Sequence, residues 1–197
     1  MKTVIITDVQ HDFMPGGALG VPGGNEIIPV INRLLPQFDH VIATQDWHPP
    51  HHISFASTHG KKVGEKIVVD GVEQILWPDH CVQGTYGAEL AKGLEKGRIE
   101  AIFHKGSDRK VDSYSAFFDN ARKRKTGLAD HLKKRGVKEV YFVGVATDYC
   151  VLYSVLDSVE LGFNTWVIRE ACRAINLREG DEEGAFEKMR KAGAQII

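Results

Sequence analysis

Apolar residues occur along this chain in two alternating patterns. Short continuous runs rich in Val and Ile are separated by longer segments in which apolar residues recur every three or four positions. Continuous runs are typical of strands buried on both faces of a parallel sheet, and the longer period is typical of helices with one apolar face. The alternation therefore predicts an α/β fold of three layers, in which helices cover both faces of a parallel sheet.

The same runs give the bounds of the predicted elements. Six strands are predicted at residues 3–8, 40–46, 99–105, 137–145, 164–170 and 195–197. Five helices are predicted at residues 25–35, 87–96, 126–136, 148–162 and 181–193. Of the two long connections, residues 46–86 contain two β-prone runs around Asp70 and Gly71, which predict a hairpin outside the main sheet. Residues 106–125 show no clear period.

Length and composition narrow the classes of function. The 197 residues, of which 43% are hydrophobic, suit one domain over residues 1–197. The 25 basic and 26 acidic residues nearly cancel, so no overall field would attract nucleic acid or an anionic membrane. The first apolar run ends at Asp8, too early for a signal peptide or a membrane span. We expect a cytoplasmic protein with a small-molecule substrate; whether it forms a homo-oligomer stays open.

Chemically active side chains follow several of the predicted strands. Asp8 ends the first strand, Lys105 ends the third, and Cys150 lies one turn into the helix after the fourth. Ligands of open parallel sheets bind beyond the carboxyl ends of the strands, so these residues form a candidate set of acid-base, cation and nucleophile. If Thr147 caps that helix, the helix dipole and Lys105 should lower the pKa of the thiol. The alternative is that Cys150 is a small buried core residue.

A second group of candidate residues lies in the first long connection. Six of the nine histidines fall between residues 40 and 80. Asp46 and His48 are two positions apart, so in extended chain they project to one side, and His80 could complete a metal site from the returning loop. His52 is a further candidate, either as a fourth ligand or as a neighbour of the site. The ligand types suit zinc, iron or manganese, and the alternative is that these are solvated loop histidines.

Six blocks of sequence carry a resemblance to one family, in the same order along the chain. They are DVQHDFMPGGALGVPGG at 8–24, TQDWHP at 44–49, LWPDHCVQGT at 76–85, HKGSD at 104–108, DSYSAF at 112–117 and GVATDYCV at 144–151. On these blocks the chain resembles the nicotinamidases of the isochorismatase-like cysteine hydrolase superfamily. The resemblance implies a six-stranded parallel sheet in the order 3-2-1-4-5-6. It also implies a triad of Asp8, Lys105 and Cys150 and a metal held by Asp46, His48 and His80.

Further residues are implied by the resemblance alone. The Val145–Ala146 peptide is expected to be cis, which turns the N–H groups of Ala146 and Cys150 toward one point as an oxyanion hole. Aromatic side chains in the same blocks are expected to wall the substrate ring; these are Phe13, Trp77 and Tyr114.

The implied reaction is the hydrolysis of nicotinamide to nicotinate and ammonia through a cysteine thioester, a step of NAD salvage. One divalent metal ion would bind the pyridine nitrogen, with zinc preferred over iron or manganese. Three alternatives remain: an amidase for another small carboxamide or carbamoyl compound, an isochorismatase, and a non-catalytic metal-binding module. A nucleophilic cysteine favours an amidase, because neither an isochorismatase nor a binding module requires one.

Overall fold

Strands and helices alternate along the chain, as the apolar pattern predicts. A computed structural model describes residues 1–197. The strands are β1 Lys2–Thr7, β2 His40–Asp46, β3 Lys66–Val69, β4 Val72–Ile75, β5 Ala101–Lys105, β6 Glu139–Val145, β7 Asn164–Arg173 and β8 Gln195–Ile196. The α-helices are α1 Ile27–Leu34, α2 Leu128–Lys134, α3 Leu152–Glu160 and α4 Asp181–Ala192. None of these helices has the length and hydropathy that a membrane crossing requires.

Six of the strands form one parallel sheet in the order β5-β2-β1-β6-β7-β8. Numbered along the chain without the hairpin, this order is 3-2-1-4-5-6, so the predicted topology is confirmed. Strands β3 and β4 pair with each other in an antiparallel hairpin around Asp70 and Gly71, also as predicted. The order makes β5, β2, β1 and β6 consecutive neighbours, which brings the ends of these four strands to one edge.

The alternating side chains of the central strands separate two apolar cores. Val4 and Ile6 of β1 pack in one buried cluster with Ile27 and Ile31 of α1. Ile5, which points the opposite way, belongs to a second cluster built with residues of α2, α3 and α4. Since side chains of a strand alternate between its faces, each face of the sheet has its own helical cover. The three-layer α/β/α prediction is therefore confirmed.

The prediction of a helix at residues 87–96 is wrong. The chain there forms two short 3₁₀ turns, Tyr86–Ala88 and Lys96–Arg98. Several of its backbone groups bond to residues distant in sequence: the Ala91 N–H donates to Val9 O at 2.8 Å, and Ala88 O accepts the side-chain amides of Gln10 and Gln45 at 2.9 and 2.7 Å. These tertiary hydrogen bonds replace the helical ladder.

The segment after β6 differs from the prediction in its first turn. Residues Thr147–Val151 form a π-helical turn, and α3 begins only at Leu152. The predicted cap at Thr147 is wrong, because its hydroxyl donates to Glu182 Oε1 of α4 at 3.2 Å and makes no capping hydrogen bond. The Val145–Ala146 peptide is cis, as the resemblance implies.

Candidate active site

The ends of four neighbouring strands bring the candidate residues together. Asp8 follows β1, Asp46 ends β2, Lys105 ends β5, and Cys150 lies in the π-turn after β6. All four residues are buried. Three of these residues stand at or directly after the end of a strand and Cys150 lies in the turn that follows β6, and the parallel arrangement places these strand ends on the same side of the sheet.

Lys105 is the centre of this group. Its Nζ lies 2.5 Å from Asp46 Oδ1, 2.9 Å from Asp8 Oδ2 and 3.3 Å from Cys150 Sγ. It also donates to Ser113 O at 3.0 Å. Burial opposes the charge of the ammonium, but Asp46 and Asp8 outweigh burial and hold the pKa of Lys105 well above its ordinary value. The lysine is therefore a permanent cation in contact with the thiol and with both carboxylates.

The electrostatics of Cys150 differ from the expectation of an easily ionised thiol. Burial raises the pKa of Cys150 well above its ordinary value, and although Lys105 opposes this, Asp8 and Asp46 add to it. The π-turn leaves the sulfur in a small, largely apolar cavity beside two carboxylates, which is why the predicted effect of the helix end does not prevail. The thiol is protonated in the resting protein and needs a base at hand.

Asp8 is placed to act as that base. Its Oδ1 accepts a hydrogen bond from the Thr44 hydroxyl at 2.6 Å, which fixes the carboxylate plane. Its Oδ2 forms the ion pair with Lys105 without hydrogen-bond geometry, so this buried oxygen retains accepting capacity. A carboxylate oxygen of Asp8 and Cys150 Sγ lie within 4.8 Å of each other.

Asp46, His48 and His80 converge on one point. One ligand atom from each residue lies within 4.8 Å of the others, and both Nε2 atoms face Asp46 Oδ2, at 3.7 Å for His48 and 3.9 Å for His80. The His48 Nδ1 bonds Gly106 O at 2.8 Å, and the His80 Nδ1 bonds Pro78 O at 2.7 Å. Each carbonyl accepts a hydrogen bond from Nδ1–H, so the ring proton is on Nδ1 and each Nε2 lone pair is free for a metal.

The charges of this region also suit a divalent cation. Burial lowers the pKa of both His48 and His80, so both rings are neutral. The carboxylates of Asp8, Asp46 and Asp112 are buried, and Lys105 is the one buried cation among them. Burial, with Asp8 and Asp112, raises the pKa of Asp46 above its ordinary value, and Lys105 opposes this shift. A divalent ion would balance the surplus of buried negative charge, so the residues present fit a metal.

The adjacent residues His51 and His52 have different surroundings in the structure. His51 is exposed, whereas His52 is buried and stacks on His48 with ring centroids 4.1 Å apart. Both nitrogens of His52 have partners, Ser54 Oγ at 2.7 Å and Val111 O at 3.3 Å. His52 also forms a second potential metal group with His48 and Asp112. With both ring nitrogens hydrogen-bonded, His52 packs against the His48 ring and is not part of the group of Asp46, His48 and His80.

A small cavity joins the thiol to the histidine cluster. The three aromatic residues expected from the sequence line it together with Ala146 and Cys150; they are Phe13, Trp77 and Tyr114. Phe13 lies edge-on to His80, with ring centroids 5.6 Å apart, and the Trp77 indole N–H donates to the Tyr114 hydroxyl at 3.2 Å. The cavity lining is thus largely aromatic and also includes the thiol and two of the candidate metal ligands, Asp46 and His80.

Comparison with known proteins gives the family. The profile of the isochorismatase domain matches residues 2–197. This chain belongs to the isochorismatase family. A nicotinamidase of Escherichia coli (strain K12) is 46% identical over 199 residues, which cover 99% of this chain and 93% of that protein. The structure of an Acinetobacter baumanii nicotinamidase superposes with a TM-score of 0.96 at 45% identity and covers 100% of this chain and 95% of that one.

A further member of the isochorismatase family with a solved structure is a pyrazinamidase of Pyrococcus horikoshii, determined in complex with zinc. It is 38% identical to this chain, with a TM-score of 0.81, and the match covers 100% of this chain and 98% of that one.

Sequence reasoning missed several residues of this isochorismatase-family site. Tyr149 lines the cavity beside the candidate nucleophile, and Leu19 and Ile175 complete its apolar wall. Asp112 supplies a third buried carboxylate. Tyr149 lies within the block GVATDYCV and Asp112 within the block DSYSAF. Both blocks carry the family resemblance, so the sequence could have indicated these two residues as part of the site. Leu19 also lies within such a block, DVQHDFMPGGALGVPGG at 8–24, whereas Ile175 has no signal beyond its apolar character.

Proposed function

We propose that this protein is an amidohydrolase that converts nicotinamide to nicotinate and ammonia, as a step of NAD salvage. The observation that carries the proposal is the contact of Cys150 Sγ with Lys105 Nζ at 3.3 Å, beside Asp8, in an aromatic-walled cavity that also reaches Asp46 and His80. The similarity to nicotinamidases over nearly the full length of the chain supports the choice of substrate. We further propose that residues 1–197 form a single domain and that the protein acts in the cytoplasm.

In the first half of the proposed reaction, Cys150 attacks the carboxamide carbon. Asp8 accepts the thiol proton as the S–C bond forms, because burial keeps the pKa of Cys150 high until a base takes that proton. The carbonyl oxygen gains the negative charge and accepts hydrogen bonds from the Ala146 and Cys150 N–H groups. When the C–N bond breaks, Asp8 returns the proton to nitrogen and ammonia leaves. A nicotinoyl thioester remains on Cys150.

In the second half, water hydrolyses the thioester. Asp8 deprotonates the water as its oxygen attacks the thioester carbon, and the C–S bond then breaks. The departing sulfur recovers a proton from Asp8, which restores the thiol and releases nicotinic acid, and the acid loses its remaining proton to water to give nicotinate. Lys105 stays charged throughout, since the two carboxylates hold its pKa high, and it stabilises the sulfur whenever the sulfur carries negative charge.

Asp46, His48 and His80 are the proposed metal ligands, and zinc is the ion we propose, with iron and manganese as the alternatives. When bound, the metal supplies a Lewis acid that holds the pyridine nitrogen and so fixes the ring relative to Cys150. The zinc complex of the related pyrazinamidase supports this choice. Phe13, Trp77 and Tyr114 would contact the faces and edge of the ring, and His52 would hold His48 in place by stacking.

The experiment that tests the function is to incubate the purified, zinc-loaded protein with nicotinamide and to measure ammonia and nicotinate. Stoichiometric release of both is the expected result. Parallel reactions with pyrazinamide and with a small carbamoyl compound separate the alternatives, because the same triad could act on any of them and only the aromatic walls favour a ring. Turnover of the carbamoyl compound without turnover of nicotinamide would support the alternative amidase.

A further inference from the structure

The cavity at Cys150 is too small for the proposed substrate in this structure. Its free volume is about 20 Å³, which is room for about one water molecule. A pyridine ring with a carboxamide is several times larger than water. The substrate of the proposed reaction can therefore reach Cys150 only if part of the cavity wall moves.

A wider groove lies outside this cavity. Its volume is about 550 Å³, within the range of small-molecule sites. It runs between the hairpin of β3 and β4, α3 and the start of α4, and its lining includes Lys66, Tyr153 and Leu177. Of all the residues that line the groove and the cavity, Tyr149 is the one common to both. Tyr149 thus forms the partition between this groove and the cavity that contains the thiol.

The three aromatic side chains at this partition are held differently. The indole N–H of Trp77 donates to the Tyr114 hydroxyl at 3.2 Å, which ties these two side chains together. Tyr149 meets both rings only edge-on, with ring centroids 5.0 Å from Trp77 and 5.5 Å from Tyr114. Its backbone N–H is fixed on Ala146 O at 3.1 Å. Tyr149 can therefore rotate about its side-chain torsions without breaking a hydrogen bond and without moving the π-turn that carries Cys150.

We propose that Tyr149 is the gate of the active site and that it limits the size of the ring that reaches Cys150. Rotation of its side chain joins the outer groove to the cavity, and its return closes the cavity over the bound ring. That the rings selected by this gate belong to aromatic carboxamides rests on the proposed function. The gate itself is a property of access to the thiol and does not depend on turnover.

Thiol labelling tests the gate without any substrate. The zinc-loaded protein is treated with iodoacetamide or with the bulkier pyrenylmaleimide, and modification of Cys150 is followed by peptide mass spectrometry. If the gate is open in about 1–10% of the molecules, labelling is slowed to the same fraction of its unhindered rate. Tyr149→Ala should therefore accelerate labelling by pyrenylmaleimide about 10- to 100-fold. The acceleration for the smaller iodoacetamide is expected to be smaller. Tyr149→Phe, which keeps the ring, is expected to label like the unchanged protein.

Tyr153→Ala is the matched control. Tyr153 belongs to the same helical segment and lines the outer groove but not the cavity. Its loss widens the groove and removes a stacking contact from Tyr114, with ring centroids 5.3 Å apart. It leaves Tyr149 and the hydrogen bond between Trp77 and Tyr114 in place, so the labelling rates should change far less than in Tyr149→Ala. Equal acceleration in Tyr153→Ala and Tyr149→Ala, or no acceleration in Tyr149→Ala, would overturn the assignment. Circular dichroism and zinc content identify a variant that has failed to fold, and Tyr149→Leu then replaces Tyr149→Ala.

Substrate size gives a second readout. Removal of the gate ring should raise kcat/KM for quinoline-3-carboxamide relative to nicotinamide by about 10-fold or more, since steric exclusion from a pocket has effects of this size. An unchanged ratio together with faster labelling would show that Tyr149 controls access but not selection, and would overturn the specificity part of the proposal. If the unchanged protein released no ammonia from nicotinamide, the proposed function would fail while the labelling rates would still test the gate.

Discussion

Lys105 joins two groups of residues that the sequence presents as separate. It contacts Asp8 and Cys150 of the candidate triad and also Asp46 of the candidate metal cluster. A lysine with a fully buried side chain is tolerated here because carboxylates surround its ammonium. The two sites are therefore one charged network, and the lysine contributes to folding as well as to chemistry.

Replacement of Lys105 by Met should destabilise the metal-free protein strongly. The substitution keeps an unbranched side chain of similar length but leaves Asp8 and Asp46 buried without their cation, which costs about 3–5 kcal/mol of the free energy of unfolding. Urea denaturation at neutral pH measures the change. Lys123→Met is the control, because Lys123 and Asp70 form an ion pair on the surface with side chains 70% and 80% exposed, and its midpoint should stay the same. Equal midpoints for the two variants would contradict the account.

At the scale of elements, the close approach of β6 to β1 sets the distance between nucleophile and base. Gly144 has φ of +116°, and a Cβ at this position would lie 2.1 Å from Thr7 O. Only glycine permits the two backbones to come so close just before the π-turn. The geometry of Asp8 and Cys150 thus depends on a glycine within a strand.

The variant Gly144→Ala should lower the free energy of unfolding by about 3 kcal/mol or more, because it combines an unfavourable φ with a backbone clash. Gly162→Ala offers a matched comparison. Gly162 has φ of +87° but open space around the added Cβ, so its cost should be about 1 kcal/mol. Thermal unfolding of both variants measures the difference, and a smaller effect at Gly144 than at Gly162 would count against the close approach.

The elements also show why sequence reasoning succeeds in one place and fails in another. The central strands β1, β2 and β6 follow from continuous apolar runs that are buried along almost their whole length, and the polar residues at the ends of β1 and β2 were readable for that reason. The prediction of a helix at residues 87–96 was wrong because backbone groups of this segment bond to partners distant in sequence, which are Val9, Gln10 and Gln45. The raised pKa of Cys150 and the position of Tyr149 depend on burial by other segments, which no local pattern records.

At the scale of the whole molecule, the fold concentrates negative charge in its interior beside the sheet edge. Asp8, Asp46 and Asp112 are all buried there, and Lys105 is the single buried cation among them. A bound divalent ion would relieve this repulsion in the folded state alone. Metal binding should therefore stabilise the entire fold and not only a loop.

Zinc should raise the unfolding temperature measured by calorimetry, and a chelator should lower it. At a free zinc concentration about 100 times Kd, the stabilisation is expected to be about 2.7 kcal/mol. Asp46→Ala, which removes the carboxylate shared by both histidines, should abolish the response. A response that survived in Asp46→Ala and disappeared in Asp112→Asn would place the ion on the second group, His48, His52 and Asp112.

The most direct test of the central claim is the rate of ammonia release from nicotinamide by the zinc-loaded Cys150→Ala variant. The account predicts that loss of the sulfur lowers kcat by about 10⁴-fold or more, as removal of a covalent nucleophile does. Zinc content and unfolding temperature should match those of the unchanged protein, because Cys150 is not among the proposed ligands. Ammonia release at a rate close to that of the unchanged protein would show that Cys150 is not the nucleophile.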